Sequence, residues 1–110
     1  MAPEALDALP FGAIVVDYDG NIERYNQYEA TLSHLDPDRV IGKNFFRDIA
    51  PCTAIQSFEG RLHEFAASSE RVSASFDYLF AFAHGPVNVS ITFMKSPVRK
   101  SILIAVERVD

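Results

Sequence analysis

The sequence predicts an α+β fold in which helices pack on one face of a five-stranded antiparallel sheet. Apolar residues alternate with a period of two near both ends of the chain, and recur at spacings of three and four between them. The first pattern is typical of half-buried strands and the second of amphipathic helices. The resulting order of two strands, three helices and three strands favours an antiparallel sheet with the helices segregated to one face.

The first two strands are predicted to form a hairpin. Residues 11–17 are a β-branched run, and residues 21–25 are the partner strand. Between them the pair Asp19 and Gly20 is typical of a two-residue reversal.

Three helical segments are predicted after the hairpin. Asn26 is a suitable N-cap for the first, and Asp36 followed by Pro37 starts the second. The third and longest is predicted over residues 53–68 with Thr53 as its cap. Its buried face consists of Ile55, Phe58, Leu62, Phe65 and Ala66.

Three strands are predicted in the C-terminal third, joined by turns at residues 84–86 and 96–100. Their alternating apolar residues are Phe76, Tyr78, Phe80 and Phe82 in the first strand, Val87, Val89, Ile91 and Phe93 in the second, and Ile102, Ile104 and Val106 in the third.

Length and composition favour one globular domain. The chain has 110 residues, of which 48% are hydrophobic and 23% charged. We expect residues 1–10 to be a short lead-in and residues 11–110 to be the domain. No apolar run is long enough to span a bilayer and no signal segment is visible, so a cytoplasmic protein without a membrane role is expected.

Charge and motifs exclude several classes of function. The net charge is −5 with scattered basic residues, which argues against binding to nucleic acid. No catalytic triad, phosphate-binding loop or paired-carboxylate motif is visible, so an enzyme is not expected. His34, His63 and His84 share no metal-ligand spacing, and only His63 is a candidate haem ligand.

Cys52 is the only cysteine in the chain. It could be an inert buried thiol, an intermolecular bridge or a reactive anchor, and free cysteines are most often buried hydrophobes. If Thr53 starts the long helix, the N-terminus of that helix would favour a reactive thiolate at Cys52.

Tyr25 and Glu29 lie four residues apart across a strand-to-helix junction and could hold one phenolic oxygen between them. Glu29 would then have to be protonated at neutral pH, which requires burial among apolar side chains. The alternative is an exposed tyrosine and a solvated carboxylate. Candidate lining residues are Phe45, Phe46, Phe76, Tyr78, Phe80 and Phe82.

A series of motifs resembles the photoactive yellow protein family in order and spacing. The resemblance is dense over residues 11–60 and continues more thinly over nearly the whole chain. The motifs are FGAI at 11–14, DGNI at 19–22, YN at 25–26, Glu29, DP at 36–37, VIGKNFF at 40–46 and APCT at 50–53.

The resemblance implies a PAS fold and a blue-light photoreceptor that carries p-coumaric acid (4-hydroxycinnamic acid) as a thioester on Cys52. By the same resemblance, Tyr25 and Glu29 hydrogen-bond the phenolate oxygen, and Ser33 takes the place of a supporting threonine. Light would isomerise the double bond, and Glu29 would then transfer its proton.

The chain also departs from the family pattern around the expected pocket. Leu35 stands where the family has an arginine, Phe82 replaces a tyrosine of the pocket wall, and His84 replaces a methionine linked to dark-state recovery. Phe45 is retained as a pocket residue.

The region before Phe11 is shorter than the family's helical cap. Output through the exposed sheet face is therefore expected, to a signalling partner, a fused output domain or a second copy of the chain. A chromophore-free PAS interaction module is the main alternative, and a haem or flavin sensor is a weaker one.

Overall fold

In the computed structural model, the described part of the chain comprises residues 6–53, 55–82, 84–96 and 99–109, without the side chain of Cys52. The predicted α+β architecture and its five antiparallel strands are confirmed. The strands are Gly12–Asp17 (β1), Ile22–Tyr25 (β2), Ser73–Phe82 (β3), Gly85–Lys95 (β4) and Ser101–Arg108 (β5).

The strand order in the sheet is β2-β1-β5-β4-β3, so β1 pairs with β5, and β2 and β3 are the edge strands. Leu6 and Asp7 are helical at the start of the described chain, and the other described helical segments lie between β2 and β3 in the sequence. They are Gln27–Ser33 (α1), Pro37–Val40 (α2), a π-helical turn at Phe45–Ile49, a 3-10 turn at Pro51–Thr53, a second π-helical turn at Gln56–Gly60, and Arg61–Ala67 (α3).

The predicted hairpin is present, but its turn differs from the prediction. The Asp17 N–H donates to the Asn21 carbonyl at 3.0 Å, which closes a loop of residues 18–20 rather than a two-residue reversal. Gly20 has φ +92°, and this left-handed residue after a tight turn gives the bulged hairpin that a three-residue loop commonly forms.

Two of the three predicted helix caps, Asn26 and Asp36, are confirmed. The Asn26 side chain accepts a hydrogen bond from the Glu29 N–H at 3.0 Å, and the Asp36 side chain accepts one from the Asp38 N–H at 2.9 Å. Pro37 occupies the first turn of α2 as expected.

The single long helix predicted over residues 53–68 is wrong. Ile55 has an extended backbone and is 51% exposed, so the regular helix cannot begin before Gln56. Thr53 does not cap it, because the Thr53 hydroxyl donates to the Ala50 carbonyl at 2.6 Å within the preceding turns. The next helical turn begins at Gln56 rather than beside Cys52, so the predicted activation of the Cys52 thiolate by a helix N-terminus is wrong.

The alternating strands place an aromatic core between the sheet and the helical segments. Phe58, at 0% exposure, lies at its centre. Its ring centroid is 5.0–6.0 Å from those of Phe45, Phe46, Phe76, Tyr78, Phe80 and Phe93.

The turn predicted at residues 84–86 is shorter than expected, since Gly85 and Pro86 already belong to β4.

We predict that Phe58→Ala lowers the free energy of unfolding by about 3–5 kcal/mol, because it leaves a cavity among six aromatic rings. Leu79→Ala is the matched control, since Leu79 is 53% exposed on β3 and its truncation should cost about 0.5 kcal/mol or less. Urea unfolding measures both. Equal losses for the two variants would contradict the central place of Phe58.

Candidate functional site

The most unusual side chain in the described structure is that of Glu29 on α1. It is only 2% exposed, although it is a carboxylic acid on a short helix. Its Oε1 atom is buried and has no hydrogen-bond partner within the part of the chain that the structure describes. Buried polar atoms are nearly always paired in folded proteins, so an orphan of this kind indicates a missing partner or a functional role.

The structure brings Tyr25 and Ser33 together beside Glu29. The Tyr25 hydroxyl lies 2.7 Å from Ser33 Oγ, and Ser33 Oγ lies 2.8 Å from the Glu29 carbonyl oxygen. A backbone carbonyl only accepts hydrogen bonds, so Ser33 donates to it. Tyr25 then donates its own proton to Ser33, and its oxygen retains the capacity to accept.

Burial controls the protonation of this group. Removal of the carboxylate from water raises the pKa of Glu29 to about 8, and contact with Tyr25 opposes the shift only in part. Burial, followed by the charge of Glu29, also raises the pKa of Tyr25 well above its usual value. Both groups are therefore protonated at neutral pH, as the sequence-based interpretation of this pair requires.

Two residues that the sequence analysis did not assign to the site support Glu29. A Cβ atom added to Gly12 of β1 would overlap Glu29 Oε1 and lie 3.2 Å from its Cδ. The absence of a side chain at Gly12 thus makes room for the carboxyl. A glycine inside a β-branched strand was the available signal, since such glycines often mark a close approach.

Asn26 is the second supporting residue, and it does more than cap α1. It is 1% exposed, and its Oδ1 also accepts from the Ala13 N–H of β1 at 2.9 Å. Its Nδ2 donates to the carbonyls of Leu6 and Phe11 at 2.9 and 3.0 Å. The start of the helix that carries Glu29 is therefore fixed to β1 and to residues 6–11, which form the N-terminal segment.

The aromatic candidates form a row that leads from the core to the surface. Phe45 is buried, and its ring lies 6.5 Å from that of Phe80. The Phe80 ring lies 5.2 Å from Phe82, and the Phe82 ring stacks on His84 at 5.1 Å. His84 in turn contacts the Leu32 carbonyl at 3.0 Å, which connects this row to α1.

Three other sequence candidates are placed as follows. Leu35, which stands at the family's arginine position, is 37% exposed just beyond α1. His63 is exposed on α3, with its Nε2 atom 3.3 Å from Glu59 Oε2 and its ring centroid 6.3 Å from that of Phe46. The backbone of Cys52 lies in the 3-10 turn at Pro51–Thr53, while its side chain is outside the described part.

The described residues contain no cluster of three or more potential metal-ligating side chains. None of their helices combines the length and the apolar character needed to cross a bilayer.

The architecture belongs to a recognised class. Residues 6–107 match the family model described as the PAS fold. A PAS domain of an HTR-like protein from Haloarcula marismortui superposes with a TM-score of 0.72 at 16% identity, covering 97% of this chain and 93% of that one. At this identity the similarity establishes the fold alone.

More similar relatives specify the family. Photoactive yellow proteins from Halochromatium salexigens and Rhodothalassium salexigens are each 40% identical to this chain, over 98% and 99% of its length and 86% of theirs. The photoactive yellow protein domain of the sensor histidine kinase Ppr from Rhodospirillum centenum has 44% identity and a TM-score of 0.89, covering 97% of this chain and 93% of that domain. The chain belongs to the photoactive yellow protein family, whose members are PAS-fold photoreceptors rather than enzymes.

We predict that the stability of the chromophore-free chain falls as pH rises from about 5 to 8. Glu29 holds its proton up to about pH 8 when folded, but releases it near its ordinary value when unfolded. The folded state therefore binds more protons in this window, and the free energy of unfolding should fall by up to about 4 kcal/mol before levelling above pH 8.

Urea midpoints between pH 5 and 8.5 measure this slope. Glu29→Gln should remove most of it, whereas Glu64→Gln, at an exposed glutamate on α3, should retain it. A slope that is unchanged in Glu29→Gln would contradict the buried, protonated state of this carboxyl.

Proposed function

We propose that this chain is a blue-light receptor that carries p-coumaric acid as a thioester on Cys52, with the phenolic end of that group beside Tyr25 and Glu29. The observation that carries the proposal is the buried, unpartnered Oε1 of Glu29 in a chain of the photoactive yellow protein family. The proposal accounts for a carboxyl that would otherwise only destabilise the fold.

The residues present fit such a group. A phenolic oxygen removed from water needs strong hydrogen-bond donors, and a protonated carboxyl with a tyrosine hydroxyl supplies two of them. The neighbouring aromatic row provides an apolar wall for a flat ring, from Phe45 to Phe82. The buried acid and hydroxyl need no metal ion for this role.

When bound, p-coumaric acid supplies absorption of blue light and isomerisation of its double bond. The roles proposed for this chain's residues are then specific. Tyr25 donates its proton to the bound oxygen instead of to Ser33. Ser33 stays in contact with the Tyr25 hydroxyl and holds it in place. Glu29 donates a hydrogen bond to the phenolate oxygen in the dark and would transfer its proton to that oxygen after illumination.

Loss of that proton would create an unpaired carboxylate in a site where burial already raises the pKa of Glu29 to about 8. An uncompensated buried charge strongly destabilises its surroundings. Elements attached to α1 would feel this charge, among them β1 and residues 6–11, both of which Asn26 contacts. This links the absorbed photon to a change at the surface.

The proposal also includes an anchor for the chromophore and a route for the signal. Cys52 is assigned as the anchor through the family, because the helix-start argument for its reactivity does not hold. We further propose cytoplasmic signalling to a partner, a fused output domain or a second copy. A related domain belongs to a sensor histidine kinase, and Leu79 and Met94 expose apolar surface on the sheet.

We predict that the purified chain, mixed with activated p-coumarate, gains the mass of one p-coumaroyl group and a visible absorption band that bleaches under blue light. Cys52→Ser should gain neither, because it lacks the thiol that forms the ester. Intact mass and absorption spectra, taken in the dark and during illumination, provide the measurement.

His63→Ala, which alters an exposed position on α3, is the matched control and should acylate and bleach like the wild type. A folded chain that takes up no group would contradict the proposal and favour a chromophore-free PAS interaction module. A stable adduct that never bleaches would contradict light sensing.

A further inference from the structure

His34 and His84 form a contact that the proposed function does not use. The two imidazole rings stack with centroids 3.8 Å apart and an angle of 24° between their planes. His84 also stacks on Phe82, with centroids 5.1 Å apart and an angle of 9°. His84 thus lies between a core-facing aromatic ring and the residue that ends α1.

The contacts of His84 converge on the last turn of α1. His84 Nε2 lies 3.0 Å from the Leu32 carbonyl oxygen. Because a carbonyl only accepts, Nε2 carries the proton and donates. Leu32 lies in the last turn of the helix, where carbonyls have no partner inside the helix, so His84 supplies the hydrogen bond that this one lacks.

His34 has a backbone suited to this contact. It is the C-cap of α1 with φ +62°, the only left-handed backbone among the non-glycine residues of the described chain. Its N–H donates to the Ala30 carbonyl. The left-handed turn ends the helix and carries the ring of His34 onto that of His84.

Leu32 and His34 are the residues on either side of Ser33, whose hydroxyl lies 2.7 Å from that of Tyr25. We propose that His84 is a positioning residue that, together with His34, locks the last turn of α1 and thereby holds Ser33 against Tyr25. The relevance of these contacts to light sensing rests on the proposed function. The contacts of His84 with His34 and Leu32 themselves are present in the chromophore-free chain.

The surroundings of the pair leave it open to water on one side. The stacked rings line a surface groove together with Asp7, Tyr28 and Arg108. The Asp7 side chain accepts a hydrogen bond from the Gln27 N–H at 2.8 Å, at the opposite end of α1. His84 therefore connects the β3–β4 turn to the last turn of α1, through its ring and its Nε2 atom.

The test uses amide hydrogen exchange in the chromophore-free full chain. His84→Ala should speed exchange at the His34 and Leu35 amides, which both donate to the Ala30 carbonyl, by about fivefold, as expected for one lost hydrogen bond. His84→Gln keeps a donor for Leu32 and should restore at least half of the protection. His34→Asn tolerates the left-handed backbone, removes only the stacking, and should have an effect of about twofold.

The infrared band of the Glu29 carboxyl supplies a readout that general loss of stability would not move. In His84→Ala the pKa of Glu29 should fall from about 8 toward its ordinary value, because a loosened last turn of α1 lets water reach the buried carboxyl. His63→Ala is the matched control and should change neither readout.

Two results would overturn the proposal. One is exchange in His84→Ala that matches His63→Ala at the His34 and Leu35 amides. The other is an increase that is equally large in the β5 amides, which would indicate global destabilisation. Either result is independent of whether the chain takes up p-coumarate.

Discussion

The burial of a single acidic side chain is the constraint on which the rest of this structure depends. Glu29 is 2% exposed and has an orphan oxygen within the described residues, an arrangement that lowers stability whenever the carboxyl ionises. The fold tolerates it because Gly12 leaves room for it and Asn26 fixes the start of its helix. A protein that needed only a stable PAS core would have no use for this arrangement.

The two ends of α1, the helix that carries Glu29, are held by different contacts. The first turn of α1 is tied to β1 and the N-terminal segment through Asn26, whose hydrogen bonds are buried or part-buried. Its last turn is held at the surface by His84 and His34. A change in the charge of Glu29 therefore acts on a helix whose two ends are attached to different parts of the fold.

Local chemistry made much of the fold predictable, and long-range packing explains what was missed. Caps at Asn26 and Asp36 and the alternation of β3 are local rules, and the structure follows them. The long helix was overextended because periodicity reports which face is buried, not whether backbone hydrogen bonds continue through Ile55. The π-helical turn at Gln56–Gly60 still directs Phe58 into the core. The predicted burial of Phe58 is therefore correct although the helix is interrupted.

The functional site was likewise predictable only in part, because local patterns do not report long-range packing. Tyr25, Glu29 and Ser33 were identified from spacing and family resemblance, but their sequence alone fits a solvated helix equally well. Burial of Glu29 depends on Gly12, seventeen residues earlier on a different element, and no local pattern reports that distance. The stack of His34 on His84 joins residues fifty apart in sequence, and only the folded chain brings them together.

The most direct test of the account is the light-minus-dark infrared difference spectrum of the chain loaded with p-coumarate. We expect blue light to remove a protonated carboxyl band that is present in the dark, and we expect Glu29→Gln to lack that band. Bleaching of the visible absorption with the Glu29 band unchanged would contradict the account, because the buried acid would then take no part in the response.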